Sequence, residues 1–300
     1  MPRLRDDIAR FIEDNGFHLS YQMRHDMDII AVTMPDRSER LVMPLEIKAE
    51  SLEEAAGQSS FVTECIERTR VLEELIIITE DRWRRNRAMM ESRLLAHLGT
   101  FSQIYARNCE VRKIDKAVAQ AFLKDTHSYG YAACRHRYGL FLKRHTGHNL
   151  TGGRISEDLT PGRLVAVATF SNARRWVKGD KEIRSYEWTR YASLPQVRIN
   201  GGMGKMLRTF IEDVRPDDIM SYADLEWSTG SVYGSLGFRL ESHKAPVTFR
   251  IDTSDWSRNA VPSGDYATSG SPTPPAGGTD TLYFRNFGSN KYRLKLTDYQ

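Results

Sequence analysis

Three residues near the N-terminus have the types and spacing for phosphodiester chemistry: Asp28, Glu46 and Lys48. Glu46-Ile47-Lys48 closes a run with strand character, and alternation along a strand turns Glu46 and Lys48 to one face. Asp28 sits in the preceding run, so if the two strands are neighbours its carboxylate can approach Glu46. Two converging carboxylates make a hard-oxygen site suited to Mg2+. The ion would polarise a phosphate and lower the pKa of an attacking water, while the lysine balances developing charge. Gln58 and Phe61, one turn apart on the next helix, could assist, and Glu13 could add a third carboxylate. The competing reading is a solvent-facing charge pair.

A second group lies far along the chain. Gly201-Gly202-Met203-Gly204 follows a strand over 183–192 and opens a helix. A glycine loop at a helix N-terminus presents unpaired N–H groups and the positive end of the dipole, which suits a pyrophosphate. Ile219 to Asp224 and then Tyr233-Gly234-Ser235-Leu236-Gly237-Phe238 come next. Glu187, on the strand before the loop, is either a general base or a structural carboxylate paired with Arg190 or Arg184. Trp227 reads as core. Arg82, Arg84, Arg85, Arg87 and Arg93 cluster on one helix, which either meets DNA phosphates or is a solvated face. A second basic cluster runs from Arg135 to His145. His145-x-x-His148 and Cys134-x-His136 have metal-like spacing but lack a full ligand set, so zinc is not favoured.

The elements that must position these groups fall in two series. The first is a helix on Leu4, Ile8, Phe11 and Ile12, strands at 17–23, 27–33 and 40–48, a helix opened by Ser51 and Glu54, a strand at 75–79 and an Arg-rich helix capped by Asp81. A boundary is expected near Gly99–Ser102. The pattern then restarts with a strand over 103–114, a helix capped by Asp115, strands at 138–142, 163–170 and 183–192, the glycine-loop helix, and strands at 218–222, 237–240 and 247–252. Residues 253–281, rich in Ser, Pro, Gly and Thr, read as a mobile loop, and 283–296 as a hairpin around Gly288-Ser289-Asn290.

Bulk properties narrow the class. Apolar content of 40% and charged content of 27% fit a globular protein rather than a disordered one. No apolar run is long enough to span a bilayer, and the charged N-terminus lacks a signal-peptide core, so no membrane partner and a cytoplasmic location are expected. Three dispersed cysteines argue against a disulfide framework. Oligomeric state is not legible.

The order helix, three strands, helix, strand around Asp28…Glu46-x-Lys48 resembles the PD-(D/E)xK nuclease superfamily. That resemblance implies a restriction-endonuclease-like domain over 1–100, Mg2+ on Asp28 and Glu46, and Lys48 in catalysis. The glycine loop with the Tyr233–Phe238 segment resembles motifs A and B of the GNAT acyl-CoA-dependent N-acyltransferases. It implies a GNAT-like mixed-sheet domain over 101–300 that takes acetyl-CoA or another acyl-CoA. Arg198, Gly201, Gly202, Gly204 and Lys205 would hold the cofactor, Tyr233 would protonate the departing thiolate, and Glu187 would be the base. The family pattern Arg/Gln-x-x-Gly-x-Gly/Ala is met cleanly in neither register: Met203 falls in its last slot in one and Ile199 in its first in the other.

Further phrases are Ile104 to Glu110, Gly201 to Lys205, Ile219 to Ser228 and Asn286 to Tyr292. They resemble phage-encoded homing endonucleases in which a nuclease half precedes a GNAT-like domain. Their strand end reads Glu-Tyr-Asn-Gly where this chain has Glu46-Ile47-Lys48-Ala49, so substrate habits do not carry over. The expectation is thus a phage-type α/β protein acting on DNA, a Mg2+-dependent endonuclease fused to a GNAT-like domain, with Arg82, Arg84, Arg85 and Arg87 on the nucleic acid. The alternative is an acyltransferase modifying an amine or a nucleobase, as in Mom-type DNA modification, with an inert nuclease-like half. A third reading keeps both folds as binding modules.

Overall fold

A computed structural model describes residues 3–69, 75–144, 149–151, 159–262 and 280–299. The chain is mixed α/β with several sheets and divides into two compact units. The first holds Met1–Met90, Ala223–Thr229 and His243–Asn290, and the second Glu91–Tyr222, Gly230–Ser242 and Lys291–Gln300. The exchange thus falls at Met90/Glu91 rather than at the expected Gly99–Ser102, and two later segments return to the first unit. No described helix is long and apolar enough to cross a membrane.

In the first unit the elements are α1 (Leu4–Asp14), β1 (His18–Arg24), β2 (Met27–Thr33), β3 (Glu39–Leu45), α2 (Leu52–Thr69), β4 (Leu75–Thr79) and α3 (Glu80–Arg85). The expected order of helix, three strands, helix and strand is therefore present. The strands form one sheet in the order β1-β2-β3-β4, antiparallel until β4, which runs parallel to β3. Both faces are apolar. Met27, Ile29, Ala31, Leu41, Met43 and Leu45 pack with Val62, Cys65 and Ile66 of α2, while alternate positions such as Ile30 and Val42 bury on the face that carries α1.

Beyond these come α4 (Arg87–His97), β5 (Phe101–Tyr105), a 3-10 turn (Ala106–Asn108), β6 (Cys109–Lys113), α5 (Lys116–Thr126), β7 (His136–Leu142), β8 (Asn149–Thr151), β9 (Leu164–Phe170), β10 (Arg174–Lys178), β11 (Lys181–Ser193), β12 (Val197–Asn200), α6 (Gly202–Val214), β13 (Asp218–Asp224), α7 (Ser231–Ser235), β14 (Arg239–Lys244), β15 (Thr248–Asp252), β16 (Ser257–Ala260), β17 (Thr281–Arg285) and β18 (Ser289–Lys295). One sheet runs β14-β18-β13-β11-β9-β7-β6, with β10 hairpinned onto β11. Its α6 face packs Tyr186, Trp188, Phe170 and Tyr138 against Phe210, whose ring stacks on Phe170 at 3.8 Å. The opposite face takes α5 through Ala119, Leu123, Val167 and Ala192. Asp115 caps α5 as expected, accepting the Val118 N–H at 2.8 Å.

Four local expectations are corrected. The Arg-rich helix is two helices, α3 and α4, separated at Asn86, and Asp81 is buried beneath Arg258 instead of capping α3. The expected 103–114 strand is broken by the 3-10 turn. The terminal segments are no hairpin: β17 pairs with β15, which also pairs with β16, whereas β18 joins the large sheet. Gly288 makes the break, with φ of +79° and the Lys244 carbonyl where a side chain would start. Of the expected 253–281 loop, 257–260 is strand β16, and 263–279 lies outside the described residues.

Candidate active site at the β11/β13 split

β11 and β13 are parallel neighbours for three pairs only, Ser185–Asp218, Tyr186–Ile219 and Glu187–Met220. The next pair would be Trp188–Ser221. There the Ser221 hydroxyl, rather than the backbone, donates to the Trp188 carbonyl at 3.0 Å. On its other edge β11 slips register against β9 between Trp188 and Arg190, a β-bulge that bends the strand. Past Glu187, β11 therefore continues to Ser193 along β9 without β13 beside it. The two strands part at mid-length.

Tyr233 lies at the opening. Its hydroxyl is 2.7 Å from Ser221 Oγ, and its ring stacks on Tyr292 at 5.1 Å and meets Trp188 edge-on. Burial pushes the phenol pKa up, more than the Ser221 contact lowers it. The group thus holds its proton at neutral pH and can donate it. Glu187 stands at the last paired position, where its backbone exchanges hydrogen bonds with Ser171. Its carboxylate has no ion pair among the described residues. It does not pair with Arg184, which reaches Asp217 at 3.7 Å.

Beyond β11 the chain turns through β12 into α6. Gly201 takes φ of +75°, a left-handed conformation that glycine adopts without steric cost. A Cβ on Gly202 would lie 2.9 Å from Ile199 Cγ2 and 3.0 Å from Tyr191 Oη, so this position admits no side chain without a shift. Gly204 is less confined, with Leu236 at 3.4 Å. The first bond inside α6 runs from the Lys205 N–H to the Gly201 carbonyl, leaving the N–H groups of Gly202, Met203 and Gly204 outside the helical ladder. That cradle fits an anion. The expected cations do not complete it: Lys205 Nζ is spent on the Ala106 and Cys109 carbonyls at 2.9 and 2.6 Å, and exposed Arg198 lies over the Phe101 ring.

The N-terminal set is arranged differently. β2 and β3 are neighbours, but their ladder ends at Ile30–Val42, short of Pro44, which has no N–H to contribute. Asp28 faces Arg5 at 3.5 Å, and Glu46 is bonded to Lys48 at 2.6 Å. Gln58 does reach this place, donating to the Glu46 carbonyl at 2.9 Å, while Phe61 is exposed. Among the described residues no three His, Cys, Asp or Glu groups converge as a metal-binding set, and Asp28 and Glu46 each face a cation. His145 and His148 lie outside the described residues.

The arginine cluster is partnered by carboxylates, some buried and some exposed. Arg82 is 5% exposed, bonded to Glu226 at 2.8 Å, and Arg258 binds both Glu226 and Asp81. Arg84 meets Asp7 and Glu80, Arg87 meets Asp7 at 2.6 Å, and Arg85 meets Asp255 at 2.7 Å. Burial alone would raise the Glu226 pKa, yet Arg258 and Arg82 outweigh it and hold the group below the ordinary carboxylate range. Arg82 and Arg84 are thus largely buried, whereas Arg85 and Arg87 keep 44% and 40% of their side chains exposed. Trp227, read as core, stacks on Arg82 at 5.3 Å.

Sequence reasoning missed Trp188, Tyr191 and Ser221. Their signal was alternation along β11, which places Trp188 beside Glu187, and the serine in Ile219-Met220-Ser221. No protein-family model and no curated protein matches the chain. The chain is similar in part to several solved structures. A conserved protein of unknown function from Enterococcus faecalis V583, a probable N-acyltransferase, is 13% identical at TM-score 0.33 over 50% of this chain and 36% of its own. Eis1 from Mycobacterium abscessus is 15% identical at 0.32, over 49% and 34%. A GNAT-family acetyltransferase from Bacillus anthracis is 10% identical at 0.30, over 63% and 95%. The chain thus spans about a third of the length of the first two.

Proposed function

We propose that the second unit is a GNAT-like N-acyltransferase domain that binds an acyl-CoA at the β11/β13 split. The observation that carries the reading is the coincidence of three features: parallel strands that part after Glu187, a glycine turn whose N–H groups open α6, and a protonated phenol at the opening. When bound, acyl-CoA supplies an acyl group activated as a thioester. The N–H groups of Gly202, Met203 and Gly204 would hold its pyrophosphate, without help from Lys205 or Arg198. Glu187 would accept a proton from the attacking ammonium, and Tyr233 Oη would give one to the departing sulfur, relayed or steadied by Ser221. The C–N bond would form as the C–S bond breaks, and the nitrogen would give up two protons, the first through Glu187 to solvent and the second to the Tyr233 phenolate left once the sulfur is protonated.

Isothermal titration with acetyl-CoA tests this. Binding to wild type and its loss in Gly202→Asp, whose carboxylate would sit at the anion cradle, is the expected result. No binding by folded wild type at millimolar acetyl-CoA would refute it.

A Mg2+-dependent nuclease in the first unit remains a second reading. It is favoured by the sheet order β1-β2-β3-β4 between α1 and α2, with Glu46 and Lys48 at the end of β3. It needs Asp28 and Glu46 to leave their cationic partners before metal can enter.

A further inference from the structure

We propose that Arg137 and Arg190, flanking Thr169 on the α5 face of the large sheet, form a recognition site for the carboxylate of an amino-acid-like acceptor. The inference rests on the acyl-transfer reading for the amine, while the anion site stands on its own geometry. Arg137 on β7 and Arg190 on β11 are both registered opposite Thr169 on β9. Their neighbours His136, Tyr138, Phe170 and Trp188 pack on the α6 side with or around Phe210, so this row points the other way. Glu187, between Tyr186 and Trp188, shares that face. Two strand spacings separate the arginines by about 10 Å at the backbone, a gap their side chains can close.

Charge singles the pair out. The other arginines drawn inward, Arg82, Arg84, Arg258 and Arg293, each meet a carboxylate. Arg137 and Arg190 have no ion pair among the described residues. Arg190 gives Nε to the Gly130 carbonyl at 2.9 Å and Nη1 to the Thr189 carbonyl at 2.7 Å. Arg137 gives Nη1 to the Cys134 carbonyl at 3.0 Å, and its buried Nε has no acceptor among the described residues. Neutral groups therefore occupy two half-buried cations, backbone carbonyls on both and the Tyr131 and Cys134 side chains on Arg137, where elsewhere in this chain buried arginines take carboxylates. Burial lowers the Arg190 pKa, and Glu187 is the carboxylate that acts against this.

Guanidinium groups hold planar carboxylates with directed, charge-assisted bonds. An acceptor with its carboxylate toward the arginines and its ammonium toward Glu187 meets opposite charge at both ends. Tyr129, whose ring lies 6.0 Å from the Arg190 guanidinium, forms the exposed edge.

The test is calorimetric titration of the full chain with glycine, β-alanine and L-glutamate, with glycinamide as the probe lacking a carboxylate, and with inorganic phosphate. At least one amino carboxylate should bind about tenfold or more tightly than glycinamide, the value of one charged hydrogen bond. Arg137→Gln and Arg190→Gln should each remove that preference and leave acetyl-CoA binding unchanged, with Arg190→Lys as the milder variant if glutamine prevents folding. Equal binding of glycine and glycinamide, or no carboxylate binding by protein that binds acetyl-CoA, would overturn the site. Phosphate binding tighter than every carboxylate would overturn the assignment of the ligand. Carboxylate binding by protein that ignores acetyl-CoA would uphold the site and remove the acyl-transfer reading instead.

Discussion

The two places that drew notice for chemistry, the end of β3 and the opening of β11, hold similar residue types in opposite electrostatic states. In the first unit each notable charge is answered: Asp28 by Arg5, Glu46 by Lys48, Glu80 by Arg84, and Glu226 and Asp81 by buried arginines. In the second unit the α6 N–H groups and Arg137 have no charged partner among the described residues, and Glu187 and Arg190 influence each other without forming an ion pair. Where such a pair is buried, as at Glu226 and Asp81, compensated charge is architecture, because separating it leaves a desolvated ion behind. Uncompensated charge costs stability and makes sense where a ligand completes it.

The largest test of this contrast is Arg258→Ala. It leaves Glu226 and Asp81 buried with half their neutralisation gone, and equilibrium unfolding should register a loss of about 3–5 kcal/mol. A loss under about 1 kcal/mol, as for a surface pair, would mean the network is not structural. The same carboxylate sets a pH signature. Because the folded Glu226 pKa lies below its ordinary value of 4.5, the unfolded chain binds the proton more readily. Its contribution is complete above 4.5 and is lost as pH falls through the folded value. Acid titration of unfolding stability should thus slope downward below that point in wild type and flatten in Arg258→Ala.

Gly202→Ala comes next. A Cβ pressed against Ile199 and Tyr191 should cost about 1–3 kcal/mol and weaken acetyl-CoA binding, while Gly204→Ala, in ordinary contact with Leu236, should do little. Equal effects from the two would remove the preference for Gly201-Gly202 as the turn. The smallest effect belongs to Lys48→Ala. Lys48 is 73% exposed, and its bond to Glu46 should be worth no more than about 1 kcal/mol by denaturant unfolding. Supercoiled plasmid should also persist with either protein in Mg2+. Cleavage by wild type but not by Lys48→Ala would restore the nuclease reading.

How far the sequence could be read follows the same physics. Short apolar runs located β2, β3, β4 and β9, because strands buried on both faces leave a mark on every residue. Asp115 was legible as a cap, and Gly201–Gly204 as a helix-opening turn, because backbone geometry restricts those positions. The pairing of Arg82 and Arg258 with Glu226 was not, since partners 144 and 32 residues apart leave no local pattern. Nor was the parting of β11 from β13, which depends on a register shift against β9. The ion pairs of the arginine cluster were hidden for the same reason: a basic stripe and an internal ion network look alike until their carboxylates are located.

The most direct test of the central claim is release of free thiol from acetyl-CoA in the presence of an amine, compared between wild type and Tyr233→Phe. The phenol keeps its proton and stands at the strand opening, so its loss should slow turnover about 100-fold or more while acetyl-CoA affinity stays unchanged. Equal turnover by the two proteins, or no thiol release by wild type that binds acetyl-CoA across a wide panel of amines, would contradict the account.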